Sequence, residues 1–592
     1  MKWNIKFITI LPLLISVASC SPAKADAKED ITIVYTNDIH GYIDNVTKDG
    51  AGEEVDALRF SKVAGYVDEL KKTKKNVLLF DAGDQVQGSV YGALDKGKEM
   101  ISIMNKAGYQ LATPGNHDFD FGMDGFKYFT EHADFPYVSC NFLTLPEREN
   151  VLDSYKIFDF SGTKIGVIGI STPETITAST PTYFQNDKGE FIYTFLGADD
   201  PNSLYTSVQN TIDKIKDQVD YVIALGHLGV DIHAKATGVS SEQVIANTTG
   251  LSAFIDGHSH TVVEQSMVKT KDNKDCLLTQ TGCYLSAFGE LTISKDGTFS
   301  SRLIKDTEYV DQEVKQMETA LITRIKNEMG ETIATADNEL YVNNPDKPTQ
   351  RIIRARETNL ADLCSDCMYW YINDEKQLDC DIAMVNGGGI RAGIKSGEVT
   401  YLDVQSVHPF GNQVCLIKTK GINIKNAIEM GVDVIGQWDD DWDCPAENGG
   451  FLHIAGMKYE VDANIPSSVK KDSEGMFLSV DGPYRVKNLQ VYNKTTKAYE
   501  DLDEEKEYAV GGINYLLRNS GNGLSMFKDS PVILDYIDAD YVVLANYMKA
   551  FKDGHINNEN APIKAHENYE YDYENPLGSK RITFLGIEGQ PI

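Results

Sequence analysis

Five short polar segments carry nearly all the Asp, Asn and His that a metal centre would need. "NDIH" brings Asp38 and His40, and "DAGD" brings Asp81 and Asp84. "GNHDFD" brings Asn116, His117, Asp118 and Asp120, while "GH" and "GHSH" bring His227, His258 and His260. Imidazole, carboxylate and amide oxygen together suit borderline divalent ions such as Zn²⁺, Mn²⁺, Co²⁺ or Fe²⁺. Asp-x-His and His-x-His set alternate side chains on one side of an extended segment. A carboxylate between two such ions can bridge them, and a pair about 3.5–4 Å apart can activate water and stabilise in-line displacement at phosphorus. A single turn rich in Asn, His and Asp is ordinarily structural. Recurrence at one kind of position argues for a shared site.

That position is the end of a strand. "ITIVYT" precedes "NDIH", "NVLLF" precedes "DAGD", the short "YQLAT" precedes "PGNHDFD", "DYVIAL" precedes "GH", and "AFID" precedes "GHSH". Between these runs lie helix-like stretches such as "ALRFSKVAGYVDELKK" and "NSLYTSVQNTIDKIKDQ", with apolar residues three and four apart. The alternation predicts a layered α/β domain. In such sheets, sites assemble at the carboxyl ends of the strands.

Taken in order, "TNDIHG", "DAGDQVQGS", "GNHDFDFG", "GHLG" and "GHSH" resemble the calcineurin-like metallophosphoesterases. With "NGGGIR" at 386–391 and "HPFGNQV" at 408–414, the chain resembles the 5′-nucleotidase family, which includes bacterial UDP-sugar hydrolases and 2′,3′-cyclic nucleotide phosphodiesterases. The resemblance spans roughly residues 30 to 530. It implies an N-terminal four-layer α/β/β/α metallophosphoesterase domain and a C-terminal α/β substrate-binding domain. It also implies two divalent ions, one on Asp38, His40 and His260, the other on Asn116, His227 and His258, with Asp84 bridging. His117 becomes the residue near the leaving oxygen, and Asp120 the partner that orients its ring. Asp81 is left to support or packing, and Asp118 has no assigned role.

The second half supplies substrate-reading candidates. Arg391 closes "NGGGIR" just past the apolar run "DIAMV", and Arg354 lies in "RARETN". Guanidinium groups match phosphate oxygens, and the family binds phosphate with arginines at these two positions. The resemblance places Phe410 and Tyr515 as two aromatics sandwiching a nucleobase, with Asn386 and Asn412 as further contacts. Where the family's animal 5′-nucleotidases and some bacterial ones have an aspartate that binds ribose hydroxyls, this chain reads "RNSGNG", with Asn522 in that place after a one-residue length change. An amide lacks the charge that strengthens such bonds, so weaker ribose selectivity is expected. The expected substrates are nucleoside 5′-monophosphates, with cyclic nucleotides or UDP-sugars as alternatives at the same site. A silent nucleoside-binding surface lipoprotein is the remote alternative; it would tolerate decay of Asp84, Asn116 or His117, and all three are intact.

The formal net charge of −32 over 592 residues disfavours polymeric nucleic acid as a partner. A small nucleotide remains compatible, given local cations. "MKWNIKFITILPLLISVASC" reads as a signal peptide. "VASC" resembles a bacterial lipobox, which would lipidate Cys20; plain secretion with cleavage near residues 23–25 is the alternative. The expected location is extracytoplasmic, with the membrane reached by the lipid anchor only. The implied division is 1–20 signal peptide, 21–30 tether, 31–310 metallophosphoesterase domain, 311–348 connecting helix and hinge, and 349–592 substrate-binding domain. Beyond Cys20, eight cysteines permit disulfides of unreadable connectivity. "CSDC" at 364–367 sits in a helix-like run and reads as core or disulfide chemistry. The acidic, tyrosine-rich "HENYEYDYENP" suggests no chemistry.

Overall fold

The protein is described from a computed structural model covering residues 29–48, 54–160, 162–348, 350–436, 438–439 and 444–586. The signal-peptide, lipidation and tether assignments, and Cys444's side chain, lie outside what it describes.

The chain begins with three parallel strands, β1 (Ile31–Thr36), β2 (Asn76–Asp81) and β3 (Leu111–Ala112). It then crosses to a second sheet, formed by β4 (Tyr155–Phe160), β5 (Thr163–Ser171), β6 (Tyr221–His227), β7 (Leu251–Ile255), β8 (Val262–Lys269) and β9 (Asp275–Thr281). β5, β6, β7 and β9 are parallel neighbours, with β4 and β8 antiparallel at the edges. β10 (Phe288–Ile293) returns to pair antiparallel with β1, and β11 (Phe299–Ile304) pairs with β10.

Side-chain alternation sorts the layers. Ile31, Ile33 and Tyr35 of β1 and Phe80 of β2 meet Ile165, Val167, Ile223 and Leu225 of the other sheet in one core. On its opposite face, the first sheet packs Val34 and Leu79 against Phe60 and Val63 of α1 (Phe60–Thr73). The second sheet packs Ile168 and Ala224 against Leu204, Val208 and Ile212 of α2 (Pro201–Ile215). Helix, sheet, sheet and helix therefore stack as four layers, and strands buried on both faces read as unbroken apolar runs.

The amphipathic helix α3 (Gln312–Met329) buries Val314, Leu321 and Ile325 in the first domain's outer core. Glu318 Oε1 on α3 also accepts a hydrogen bond from the Ser61 backbone N–H at 3.0 Å. This helix is therefore fastened to the metallophosphoesterase layers, a restraint its amphipathic pattern left unstated.

The second α/β region centres on a mixed sheet. Its strands are β12 (Ile382–Asn386), β13 (Val414–Lys420), β14 (Leu452–Ala455), β15 (Glu507–Ile513) and β16 (Val532–Leu534), in the order β14-β12-β15-β13-β16. All twelve residues of α4 (Asn359–Trp370) are buried against it. Cys364 and Cys367 sit there as free thiols, as do Cys140, Cys276, Cys283, Cys380 and Cys415, so no disulfide forms among the described residues. "CSDC" is core. The tyrosine-rich tail also gains an account. The Tyr569 and Tyr573 hydroxyls each donate to Asp366 of α4 at 2.8 Å, and Arg581 donates to it at 2.6 Å. The tail hydroxyls and guanidinium thus satisfy a carboxylate buried in the helix that anchors the domain.

Candidate metal centre and substrate cleft

The ends of β1, β2, β3, β6 and β7 converge. Asp38, His40, Asp84, His258 and His260 all adopt positive φ, between 50° and 82°. Left-handed backbone at a non-glycine residue costs about 1–3 kcal/mol and persists where surrounding structure over-determines it, commonly at functional sites. Two buried carboxylates hold these turns. Asp81 accepts from Thr36 Oγ1, the Gly83 backbone and Gln85 Nε2 at 2.5–2.8 Å. Burial pushes its carboxyl up to about 7. Asp118 accepts from the backbone N–H groups of Asp84, Gln85 and Gly115 at 2.8–3.0 Å. Asp118 therefore ties the β2 and β3 turns together. Gly83, at φ 96°, is needed because a Cβ there would lie 2.5 Å from His227 Nδ1.

Two ligand groups form: Asp38, His40 and His260; and Asp38, Asp84 and His227, with potential ligand atoms in each group within 4.8 Å of one another. His40 Nε2 lies 2.9 Å from His260 Nε2 and 3.7 Å from Asp84 Oδ2. His227 Nε2 lies 3.2 Å from the same Asp84 oxygen and 3.9 Å from Asp38 Oδ1. Asp84 Oδ2 thus stands between the groups, and Asp38 faces both. His227 Nδ1 donates to the Ala82 carbonyl at 2.7 Å, which commits that nitrogen and leaves Nε2 facing the two carboxylates. Among the described residues, buried Asn116 Oδ1 has no hydrogen-bond partner, and His227 Nε2 has none beyond its approach to Asp84.

An unpartnered amide oxygen and an imidazole nitrogen beside two carboxylates fit a divalent cation, which would take the place of a proton on Nε2. Burial alone would lower the His227 pKa, yet Asp84 and Asp38 outweigh it and raise it to about 10. The pocket demands positive charge.

His258 belongs to neither group. Its backbone N–H donates to Asp38 Oδ2 at 2.9 Å, and its Nε2 lies 3.2 Å from Glu174 Oε2. His117 sits beside the centre, with its backbone donating to Asp84 Oδ1 at 2.7 Å and its Nδ1 2.6 Å from Asp120 Oδ2. That contact leaves Nε2 free for chemistry.

The second domain forms the facing wall of a cleft of about 280 Å³. Arg391 Nη2 reaches 3.5 Å from His40 Nε2, and Arg351 Nη1 reaches 3.4 Å from His260 Nδ1. Arg351 is neutralised by Glu447, with Nε to Oε2 at 2.7 Å. Among the described residues, Arg354 and Arg391 form no ion pair, and Arg391 Nε is buried without a partner. Burial, with Arg351 and Arg391 nearby, lowers the Arg354 guanidinium to about 9. Arg356 turns away, stacking over Phe584 at 4.4 Å.

Phe410, Asn412, Tyr515, Asn386 and Asn522 also line the cleft. The Phe410 ring lies 5.6 Å from the His117 ring. The Tyr515 hydroxyl donates to the Thr177 carbonyl of the first domain at 2.9 Å. Gly521 permits that ring's position, since a Cβ would fall 2.4 Å from it. Asn386 Nδ2 donates to Asn522 Oδ1 at 3.1 Å, leaving Asn386 Oδ1 buried and unpartnered. Sequence reasoning gave no role to Asp118, Glu174, His233 or Glu447. Glu174 lies three residues past the end of β5, so the strand-end rule that found the others would have flagged it.

Fold and site together define a metal-dependent phosphoric ester hydrolase. Residues 31–262 match the calcineurin-like phosphoesterases, and residues 332–529 match the 5′-nucleotidase C-terminal domain. The chain is 26% identical to the 5′-nucleotidase of Rattus norvegicus over 91% of this chain and 92% of the relative. It is 27% identical to the trifunctional nucleotide phosphoesterase protein YfkN of Bacillus subtilis, over 88% of this chain and 34% of that longer protein. The crystal structure of a 5′-nucleotidase precursor from Thermus thermophilus superposes with a TM-score of 0.73 at 25% identity, covering 94% of this chain and 99% of that one. The chain belongs to the 5′-nucleotidase family, with a calcineurin-like N-terminal domain.

Proposed function

We propose that this protein releases phosphate from nucleoside 5′-monophosphates and related nucleotides. The observation that carries the reading is the pairing of two walls. Potential ligand atoms of Asp38, Asp84, Asn116 and His227 gather on one side, and on the other stand the guanidinium groups of Arg354 and Arg391, which form no ion pair among the described residues. Asp38, His40 and His260 would hold one divalent ion, and Asn116, His227 and His258 a second, with Asp84 shared. Such ions supply a lowered pKa for water and charge neutralisation at phosphate.

The chain's own groups do the rest. Arg354 and Arg391 orient and neutralise the phosphate. The contact with Asp120 orients the His117 ring, leaving Nε2 to donate a proton to the leaving oxygen or stabilise its charge. Phe410 and Tyr515 offer aromatic faces to the base, with Asn412 beside them, and Asn386 and Asn522 offer amides to the ribose. The hydrogen bond from Tyr515 to the Thr177 carbonyl ties the base platform to the first domain in this arrangement. Domain movement about the polar stretch following α3 would gate it. Neutral Asn522 at the ribose position favours a second reading at the same site: 2′,3′-cyclic nucleotides or UDP-sugars.

The N-terminal pattern supports export and lipid anchoring at Cys20; among the described residues no helix is long and apolar enough to cross a membrane. Cys20→Ala should abolish lipid labelling of the expressed protein, and unchanged labelling would refute the anchor. For activity, the purified protein with Mn²⁺ should release inorganic phosphate from AMP, and a chelator should stop it. Failure on AMP, cyclic nucleotides and UDP-glucose alike would overturn the reading.

A further inference from the structure

The strand β5 runs parallel beside β6 in the second sheet, yet none of the expected site residues comes from it. Its exit segment "STPE" delivers Glu174 to the cleft, between two imidazoles from neighbouring strand exits. Glu174 Oε2 lies 3.2 Å from His258 Nε2, and Glu174 Oε1 lies 3.2 Å from His233 Nε2. His233 is held in a short helix, Ile232–Thr237, whose N-terminus is capped by Asp231 accepting from the Ala234 N–H at 3.0 Å. Glu174 is thus seated between groups that are themselves positioned. His258 has φ 82° and spends its backbone N–H on Asp38. Ring orientation therefore depends on what its side chain meets, and among the described residues its side-chain hydrogen-bond partner is Glu174.

We infer that Glu174 is a positioning residue for the metal centre: its carboxylate accepts from His258 Nε2–H, fixing the tautomer in which Nδ1 is left to ligate. Metal-bound histidines commonly donate their second nitrogen to a carboxylate, and losing that partner typically costs about 10–100-fold in metal affinity. Glu174 touches neither substrate nor reacting atoms in this role. The effect should be confined to the ion bound through His258, because His40 and His260 have other partners, the Gln87 carbonyl at 2.7 Å and Arg351 at 3.4 Å.

The inference rests on the proposed two-ion reading. Full-length protein, stripped of metal, is titrated calorimetrically with Mn²⁺ without nucleotide. Unaltered protein should show two binding events. Glu174→Ala should weaken one event by about 10–100-fold and leave the other nearly unchanged. Glu174→Asp, which withdraws the carboxylate by one methylene, should behave similarly and serves if the alanine variant does not fold. Glu174→Gln, which still offers an acceptor oxygen, should recover most of the lost affinity. Activity of the alanine variant should fall at limiting Mn²⁺ and return at excess. Unchanged events in both the alanine and aspartate variants, equal weakening of both events, or no rescue by glutamine would each overturn the assignment. A single event in unaltered protein would instead overturn the two-ion reading beneath it.

Discussion

On the first-domain wall of the cleft, five non-glycine residues hold left-handed backbone, and the carboxylates of Asp38 and Asp84 crowd against the imidazoles of His40, His227 and His260. On the second-domain wall, Arg354 and Arg391 form no ion pair and Asn386 presents an unpartnered amide oxygen, among the described residues. One wall is electron-rich and strained, and the other is electron-poor. Each is incomplete in a way that complements the other, and a phosphate ester with divalent ions would satisfy both. The formal charge of −32 is a property of the whole chain and does not describe the phosphate-facing wall. Beyond about 8–10 Å, exposed charges are largely screened at physiological salt, so local guanidinium groups decide what binds.

If the first wall is built to hold ions, Asp84→Ala should be the most damaging change, because Asp84 Oδ2 approaches an imidazole of each ligand group, His40 at 3.7 Å and His227 at 3.2 Å. Activity should fall to background with metal content reduced, as read by elemental analysis. Full metal retention would show that Asp38, which also faces both groups, can bridge without it. His117→Ala comes next. It should lower kcat by about 10²–10⁴-fold while metal content stays near normal. Loss of metal would make His117 a ligand and move it to the other side of the comparison.

The second wall should respond differently. Arg391→Ala removes charge-assisted hydrogen bonds, typically about 1.5–3 kcal/mol each, so kcat/KM should drop roughly 10–100-fold with both ions retained. A fall in metal affinity would mean that this wall also shapes the first, through the 3.5 Å approach of Arg391 to His40.

The walls were also unequally legible in the sequence. The ligand turns stood out because each follows an apolar run buried on both faces, and repetition of the pattern removed the ordinary turn explanation. Arg354 and Arg391 were visible only through family resemblance, since isolated arginines carry no periodic signal. What stayed hidden depends on contacts distant in the chain. Asp118 bonds backbone groups more than thirty positions earlier. Glu447 neutralises Arg351 across 96 positions. The tail's tyrosines meet Asp366 across about two hundred. α3 has the amphipathic spacing expected, yet only packing shows that it is fastened to the first domain.

The smallest expected effect concerns the ribose end of the second wall. Asn522 accepts from Asn386 through Oδ1, a bond that an aspartate could also accept, so Asn522→Asp should leave Asn386 in place. The added charge would strengthen bonds donated by ribose hydroxyls, since charge-assisted hydrogen bonds are roughly twice as strong as neutral ones. A gain on the order of 1 kcal/mol corresponds to about a fivefold improvement in kcat/KM for AMP relative to an analogue lacking the hydroxyls, such as 2′,3′-dideoxy-AMP. Hydrolysis of a phosphomonoester without a ribose should not change, because the metal wall and both arginines are untouched. If AMP and the dideoxy analogue improved equally, Asn522 would be acting on domain closure or on the base. The electron-poor wall would then read phosphate and base without reading the sugar.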